Sequence, residues 1–308
     1  MKQRTESQLS LMDITQNIYS HEATSAKNNQ FSNFLLKSFQ KLYNTVNHIF
    51  RTVKAESLIV YSIVMITFAL GFICLIGLAI DDRTLMGVSV WIKPLKFTIS
   101  IAIYILTIGF LLTIYPYSIK KKRIINGIVA WTLFIELVII ICQASRGVQS
   151  HYNTSSLFDA VLYMCMGLLT MINVLILIIL VIDTIRLKLN TDKSVQWAIL
   201  VGWLIVLFSS WIGGQMISQL SHNIGVADGG SGLPLVNWST VGGDLRIAHF
   251  FGLHGIQIIP FFAFWISKKW PLPSRNQIII VTIFGLLYAA WIGFVFYQAK
   301  QGIPLIQM

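Results

Sequence analysis

Residues 57–80 read SLIVYSIVMITFALGFICLIGLAI and contain no charged side chain. A helix of about 20 apolar residues crosses the ~30 Å hydrocarbon core of a bilayer, so this stretch predicts a transmembrane helix. The whole chain has the same character, because 55% of its 308 residues are hydrophobic and only 11% are charged. An average soluble domain is roughly 25% charged. The composition therefore excludes a soluble domain, a disordered chain and a disulfide scaffold.

Six further stretches are long and apolar enough to cross a membrane. The seven predicted spans are residues 57–80, 97–115, 124–143, 160–182, 195–215, 249–266 and 278–297. The predicted fold class is all-α, a polytopic integral membrane protein with seven transmembrane helices.

The basic residues predict the orientation of these spans. Most of the 23 Lys and Arg residues, and the whole net charge of +11, lie in the N-terminal arm and in alternate connections between spans. Because cytoplasmic segments of membrane proteins are enriched in Lys and Arg, we expect a cytoplasmic N-terminus and an extracytoplasmic C-terminus. The same charge favours anionic membrane lipid as a partner and argues against nucleic acid. We expect a bacterial cytoplasmic (inner) membrane as the location.

The chain divides into three predicted regions. Residues 1–30 are polar and predict a disordered cytoplasmic arm. Residues 31–54 carry apolar side chains at helical spacing and predict an amphipathic helix at the membrane interface, or alternatively a docking helix for a soluble partner. Residues 55–308 form the bundle. Its extracytoplasmic segment 223–245 is rich in glycine without phosphate-loop spacing, and is either a lid or a plain connector.

The sixth span combines four polar side chains in its outer half. At about 100° per residue, Arg246, His249, His254 and Gln257 share one arc of roughly 140°. Pro260 frees the carbonyl of Ile256, so a kink is expected there. The arc indicates either a functional site or hydrogen bonds that hold helices together. Gly213 and Gly214 of the fifth span predict close approach of another backbone.

The third span places Glu136 near the middle of the membrane, with Gln143 on the same face and Arg146 at the outer mouth. A carboxyl group at this depth either pairs with a cation or keeps a proton that it can exchange. Glu136 and His254 are therefore the candidate catalytic residues.

The second span begins with Lys93 and Lys96 on the outer side, and Lys96 shares a face with Ser100 and Thr107. Outer lysines oppose the usual charge bias, so they either reach lipid phosphates or bind an anion. The complete set of candidate ligand-binding residues is Lys93, Lys96, Gln143, Arg146, Arg246 and Gln257.

A metal ion is a possible cofactor. The candidate ligands are His151, His249, His254, Asp159 and Asp244, which have the chemistry that zinc, iron or copper requires. The spacing is not that of a known motif, because His249 and His254 are five residues apart and lie about 140° around a regular helix. Haem is less favoured, since no second histidine lies as deep as His254. The cofactor therefore stays unknown.

These patterns predict an outward-facing polar site lined by His, Arg and carboxylate groups. The favoured function is a membrane enzyme that binds a metal or a small anionic, lipid-like ligand. The alternatives are a transporter or proton-coupled binding protein that uses Glu136, and a non-catalytic accessory protein. The sequence shows no internal repeat, which argues mildly against a transporter. It identifies neither the substrate nor any protein partner.

Overall fold

The structure is a computed structural model that describes residues 36–230 and 232–307. The chain divides into two compact units, residues 1–52 and residues 53–308. In the first unit the described residues are helical and carry exposed apolar side chains such as Leu36, Phe39 and Leu42. This helix, α1, ends at residue 56. The predicted disordered arm and the first residues of the predicted amphipathic helix lie outside the described residues, and the interfacial role of α1 stays a prediction.

The second unit is a bundle of α-helices with two short antiparallel hairpins. The helices are α2 (Leu58–Ile80), α3 (Ile92–Leu112), α4 (Ile119–Ser145), α5 (Leu157–Arg186), α6 (Lys193–Ser218), α7 (Leu245–Leu253), α8 (Gly255–Lys269) and α9 (Ser274–Lys300). Strands β1 (Thr84–Leu85) and β2 (Val88–Ser89) pair with each other, as do β3 (Asn223–Ile224) and β4 (Gly243–Asp244).

Six of these helices are each long and apolar enough to cross a membrane. The helices α7 and α8 pass the same test together, and count as a seventh span if the bent pair is one span. Serine side chains cap the N-termini of α2, α4 and α5 by accepting a main-chain N–H bond, and these residues are Ser57, Ser118 and Ser156. The prediction of an all-α polytopic membrane protein is confirmed.

The position of the bend in the sixth span differs from the prediction. Helices α7 and α8 meet at 42° with the break at His254, whereas Pro260 lies inside α8. Gly252 and Gly255 flank the break, and an added Cβ would lie 2.5 Å from Ser209 and 2.7 Å from Ile205. Both glycines therefore bring the chain close to α6, and the helix changes direction between these two contacts. The 42° bend therefore lies six residues before Pro260.

Helix α6 is the centre of one half of the bundle, where it packs against α5, α7, α8 and α9. Helix α3 instead packs mainly against α2 and α4, and α4 also packs against α5. Trp203 of α6 is fully buried, and its indole N–H donates to the hydroxyl of Tyr115 at 3.0 Å. Large apolar side chains such as Phe72, Phe261 and Leu286 are exposed, as expected for surfaces that face lipid.

The two ends of the bundle are named after the predicted orientation. The inner end contains the connections 113–118, 187–192 and 270–273. The outer end contains the connections 81–91, 146–156 and 219–244, and the last of these is called the covering loop. At the inner end, Lys121 pairs with Asp183 at 2.6 Å and Lys122 pairs with Glu56 at 3.1 Å.

Candidate functional site

The covering loop is held close to neighbouring elements by two glycines. An added Cβ on Gly243 would lie 1.9 Å from the main-chain oxygen of Ala299 in α9, so this approach requires glycine. Gly229 has φ +92 and lies against Met86 in the turn between β1 and β2. The loop is thus fixed to the last helix on one side and to the first hairpin on the other.

Two arginines of the outer end form ion pairs with aspartates that are close in the sequence. Arg146 contacts Asp159 at 2.6 Å, and Gln143 donates to the same carboxylate at 2.8 Å. Arg246 contacts Asp244 at 2.6 Å and also donates to the carbonyl of Asn237 in the covering loop. These pairs join predicted ligand-binding residues to predicted metal ligands, a combination that the spacing alone did not reveal.

A third pair of this kind lies beside them. Arg83 contacts Asp81 at 2.7 Å, and its second guanidinium nitrogen donates to the carbonyl of Ser145 at the end of α4. The hydrogen bonds from Arg83 and Trp91 lower the pKa of Asp81 well below its usual range. Through these contacts Arg83, Arg146 and Arg246 link the loops of the outer end to the ends of neighbouring helices.

Lys93 and Lys96 differ from the arginines in their partners. The ammonium of Lys93 lies 3.3 Å from Nδ1 of His151, and that of Lys96 donates to the carbonyl of Val236 at 2.9 Å. Both lysines are half-buried at the outer end of α3. Within residues 36–230 and 232–307, neither lysine forms an ion pair with a carboxylate.

His151 is a neutral hydrogen-bond partner of Lys93. Its Nδ1 faces both the ammonium and the hydroxyl of Ser150, which lies 3.1 Å away. Burial, followed by the nearby charge of Lys93, lowers the pKa of His151 well below its usual value. Nδ1 therefore accepts these hydrogen bonds, and Nε2 carries the proton and remains a donor.

His222 and Asp228 form a histidine–carboxylate pair within the covering loop. Nδ1 of His222 lies 2.6 Å from the carboxylate, which also accepts the main-chain N–H groups of His222 and Asn223 and the hydroxyl of Ser221. Burial alone would raise the pKa of Asp228, but the hydrogen bonds from His222 and Ser221 outweigh it and lower that pKa well below its usual range.

The imidazole of this pair is also neutral. Burial lowers the pKa of His222 although Asp228 acts in the opposite direction. Nδ1–H therefore donates to Asp228 and leaves Nε2 as an acceptor, the arrangement that orients a general base. Asp228 was not predicted as a site residue, and its signal in the sequence is its position in the glycine-rich segment, six residues after His222.

His249 of α7 is held in the same tautomer by a main-chain group. Its Nδ1 lies 2.7 Å from the carbonyl of Ser209 in α6, so Nδ1–H donates. An added Cβ on Gly213 would lie 3.0 Å from the imidazole, whereas nothing lies within 4 Å of one on Gly214. Gly213 thus makes room for a side chain, and the expectation that both glycines admit another backbone was wrong.

The histidines and lysines form one group at the outer end. Positive charge on His222 or His249 would disfavour protonation of His151, and the charges of Lys96 and Asp228 act on that of Lys93. The ring of Tyr152 packs between the rings of His151 and His222, with centroid distances of 6.1 Å and 5.1 Å. The outer polar site is defined as Lys93, Lys96, His151, His222, Asp228 and His249.

Glu136 lies deeper than this group. It sits nine residues before the outer end of α4, about 13 Å along the helix axis, and is 8% exposed. Its carboxylate accepts a hydrogen bond from Thr170 at 3.3 Å and interacts electrostatically with Lys93. Its relation to the outer polar site is therefore electrostatic, through Lys93.

The two remaining predicted site residues, His254 and Gln257, lie at the helix break and in the first turn of α8. His254 lies at the helix break with its ring 4.5 Å from that of Phe250. Gln257 donates to Thr107 of α3 at 3.4 Å, and its side chain also interacts with that of His254. Arg246 and His249 contact Asn237 and Ser209 instead, so the four residues of the predicted arc are divided between different contacts.

The predicted metal ligands have separate surroundings. Asp159 and Asp244 each contact an arginine, and His254 packs against Phe250. In the part of the chain that the structure describes, no three His, Cys, Asp or Glu side chains are grouped so that they could hold a metal ion. The metal site stays a prediction from residue type alone.

Comparison with protein-family models, with curated protein sequences and with solved structures found no match. The functional interpretation therefore depends on the outer polar site.

Proposed function

We propose that the outer polar site binds a small anionic group, a phosphate or a carboxylate, and is the working site of a membrane enzyme. The observation that carries the proposal is the pair of half-buried lysines, Lys93 and Lys96, which have no carboxylate in direct contact within the described residues. An ammonium group removed from water requires a compensating partner. A bound anion would supply one to both lysines.

The hydrogen bonds of the site support this ligand class. Each ammonium has three N–H donors, and one contact is described for each: a nitrogen of His151 for Lys93 and the carbonyl of Val236 for Lys96. The Nε2–H group of neutral His151 is a further donor. Donors of this kind, two of them charged, match the acceptor oxygens of a phosphate or carboxylate.

The histidine–carboxylate pair supports an enzyme over a passive binder. His222 is neutral and oriented by Asp228, so its Nε2 can accept a proton from water or from a hydroxyl group of a bound molecule. General-base catalysis of this type contributes roughly 10²–10⁴-fold to a rate. The ligand would thus be held by lysines beside a group that can activate a nucleophile.

Anion binding can be measured on the purified full-length protein in detergent. We expect inorganic phosphate to raise the melting temperature more than chloride at the same ionic strength. Lys93→Met and Lys96→Met should each weaken phosphate binding by about tenfold or more, because a hydrogen bond to a charged group contributes about 1.5–3 kcal/mol. Isothermal titration calorimetry gives the affinities.

Lys300→Met is the matched control, since Lys300 is an exposed lysine at the end of α9. It should leave phosphate binding unchanged. The proposal fails if neither phosphate nor acetate stabilises the wild-type protein beyond chloride, or if Lys300→Met weakens binding as much as Lys93→Met.

The enzyme assignment needs a separate measurement. Wild-type protein and His222→Gln would be incubated with total bacterial lipid extract, and the products followed by mass spectrometry. We expect the wild type to convert an anionic lipid and the variant to lose conversion while it still binds phosphate. Equal conversion by both proteins would contradict a catalytic role for His222.

Proton-coupled transport is the second candidate, and Glu136 favours it. This carboxyl group is buried in the middle of a span, with one hydrogen bond from Thr170 and with Lys93 as a distant counter-charge. Transport predicts anion uptake into liposomes that depends on a pH gradient and is lost in Glu136→Gln. An enzyme predicts no uptake with the same liposomes.

A further inference from the structure

The boundary between α3 and the α7–α8 pair differs from the other helix contacts near the outer polar site. The main neighbours of α3 are α2 and α4, whereas α7 and α8 pack against α6 and α9. Among the described residues, Gln257 of α8 donates to Thr107 of α3 at 3.4 Å across this boundary, and at its outer limit Lys96 donates to Val236 of the covering loop at 2.9 Å. Lys96 and Thr107 are about 16 Å apart along α3. The boundary between these two bonds is called the seam.

Polar side chains line the α3 side of the seam directly beside lipid-facing ones. Lys96, Ser100 and Thr107 are half-buried on one face of α3. Ile99 and Ile103, on the adjoining face, are 50% and 39% exposed. A helix surface that faces hydrocarbon normally carries no unsatisfied polar groups, because each one costs free energy there.

The opposite side of the seam has the same mixed character. Phe250 and Phe261 are 41% and 69% exposed, and Phe250 packs on His254. Between them lies Gln257, whose Oε1 is buried and whose side chain interacts with Thr107 and His254. The seam thus presents charged and polar groups along its depth and aromatic rings at its edge.

We propose that the outer polar site is reached sideways from the bilayer through the seam, and that its ligand is the phosphate headgroup of an anionic amphiphile. Lys96 would contact the headgroup at the outer limit of the seam, and its acyl chains would lie against the exposed isoleucines and phenylalanines. This inference rests on the proposed anion site and adds the source of the anion: a membrane lipid.

The test compares a lipid phosphate with free phosphate on the same protein. Binding of dioctanoyl phosphatidic acid is measured by native mass spectrometry, and binding of inorganic phosphate by calorimetry. Ser100→Trp fills the middle of the seam, and Leu168→Trp, at an exposed apolar residue of α5 outside the seam, is the control. We expect Ser100→Trp to weaken phosphatidic acid binding by more than about tenfold and to leave phosphate binding within about twofold.

Leu168→Trp should bind both ligands like the wild type. Sideways access would be refuted if Ser100→Trp bound phosphatidic acid with wild-type affinity. It would also be refuted if the variant lost affinity for both ligands equally, because the substitution would then disturb the anion site itself and not the route to it. If the wild-type protein binds neither ligand, the anion site itself fails.

A reversible block covers the case in which Ser100→Trp does not fold. Cysteines replace Thr107 and Gln257, in a background whose native Cys74, Cys142 and Cys165 are alanine, and a short reducible bifunctional thiol reagent joins them. The pair Thr132 and Asn173, in contact at 2.8 Å between α4 and α5, is the control. Only the first cross-link should prevent phosphatidic acid binding, and reduction should restore it. Unchanged binding after complete cross-linking would refute sideways access.

Discussion

The two ends of the bundle treat their lysines differently. At the inner end Lys121 and Lys122 each contact a carboxylate, and Lys121 also lies over the ring of Tyr117. At the outer end Lys93 and Lys96 contact a neutral imidazole and a carbonyl oxygen. Lys121 and Lys122 have their counter-charges within the protein, whereas Lys93 and Lys96 have charge and donors left for a ligand.

The outer arginines sharpen this comparison. Arg83, Arg146 and Arg246 lie at the same end as Lys93 and Lys96, yet each contacts an aspartate at 2.6–2.7 Å. The difference therefore does not follow from the end of the bundle alone. The three arginines form ion pairs that hold loops in place, whereas the two lysines have no such pair and remain available to a ligand. This pattern is expected where function is favoured at the expense of stability.

The largest effect is expected from breaking one of the fastening pairs. Asp159→Ala removes a buried carboxylate and leaves both Arg146 and Gln143 without their shared acceptor. We expect a loss of about 2–3 kcal/mol, below the ~3–5 kcal/mol of a fully buried pair because Arg146 is partly exposed. Thermal unfolding in detergent measures it. Asp82→Ala, at an exposed aspartate, is the control and should change little.

Effects of intermediate size on the free energy of unfolding, with opposite signs, are expected when Lys93 and Lys121 are each replaced by methionine. Lys93→Met replaces a half-buried cation that has no contacting carboxylate, so the free energy of unfolding should rise by about 1 kcal/mol. Lys121→Met removes an ion pair and should lower it by up to about 1 kcal/mol. Chemical denaturation of both variants decides the sign. If the free energy of unfolding fell in both variants, the lysines of the two ends would not differ in this respect.

The smallest effect is the acid sensitivity of the outer polar site. The folded pKa of His151 lies well below the ordinary value of 6.5, so the unfolded chain binds more protons as the pH falls through that value. Stability is then complete above about pH 7 and decreases by about 0.7 kcal/mol between pH 7 and pH 6. His151→Gln should flatten this dependence in thermal unfolding, whereas His48→Gln, in exposed α1, should leave it unchanged.

The membrane spans, and the end of the bundle at which the polar groups lie, could be predicted from the sequence. Apolar stretches such as 57–80 identify a helix because hydropathy is summed over about 20 residues. The sequence was less informative about the exact bounds of the helices, because single capping residues such as Ser118 and Ser156 determine where a helix begins. The break at His254 was missed because it depends on how closely Gly252 and Gly255 approach α6.

The contacts of the candidate site were harder to predict than its members. Residue type placed Lys93 and His151 in separate sets of predicted ligand-binding residues and metal ligands, although their side chains are 3.3 Å apart. Asp159 and Asp244 have the chemistry of metal ligands, yet each faces an arginine. Partners of this kind depend on the path of irregular loops, which carries no periodic signal in the sequence.

The contact between Gly243 and Ala299 has a consequence for the order of assembly. The covering loop ends against α9, and Gly225 lies near Gly302 beyond that helix. During synthesis the residues around Lys93 and His151 emerge long before residue 299, and domains form largely from the N-terminus onward. The covering loop therefore gains its contact with Ala299 only after the last helix has been synthesised. A nascent chain stopped before α9 would contain every residue of the outer polar site and of the covering loop, but the loop would lack this contact.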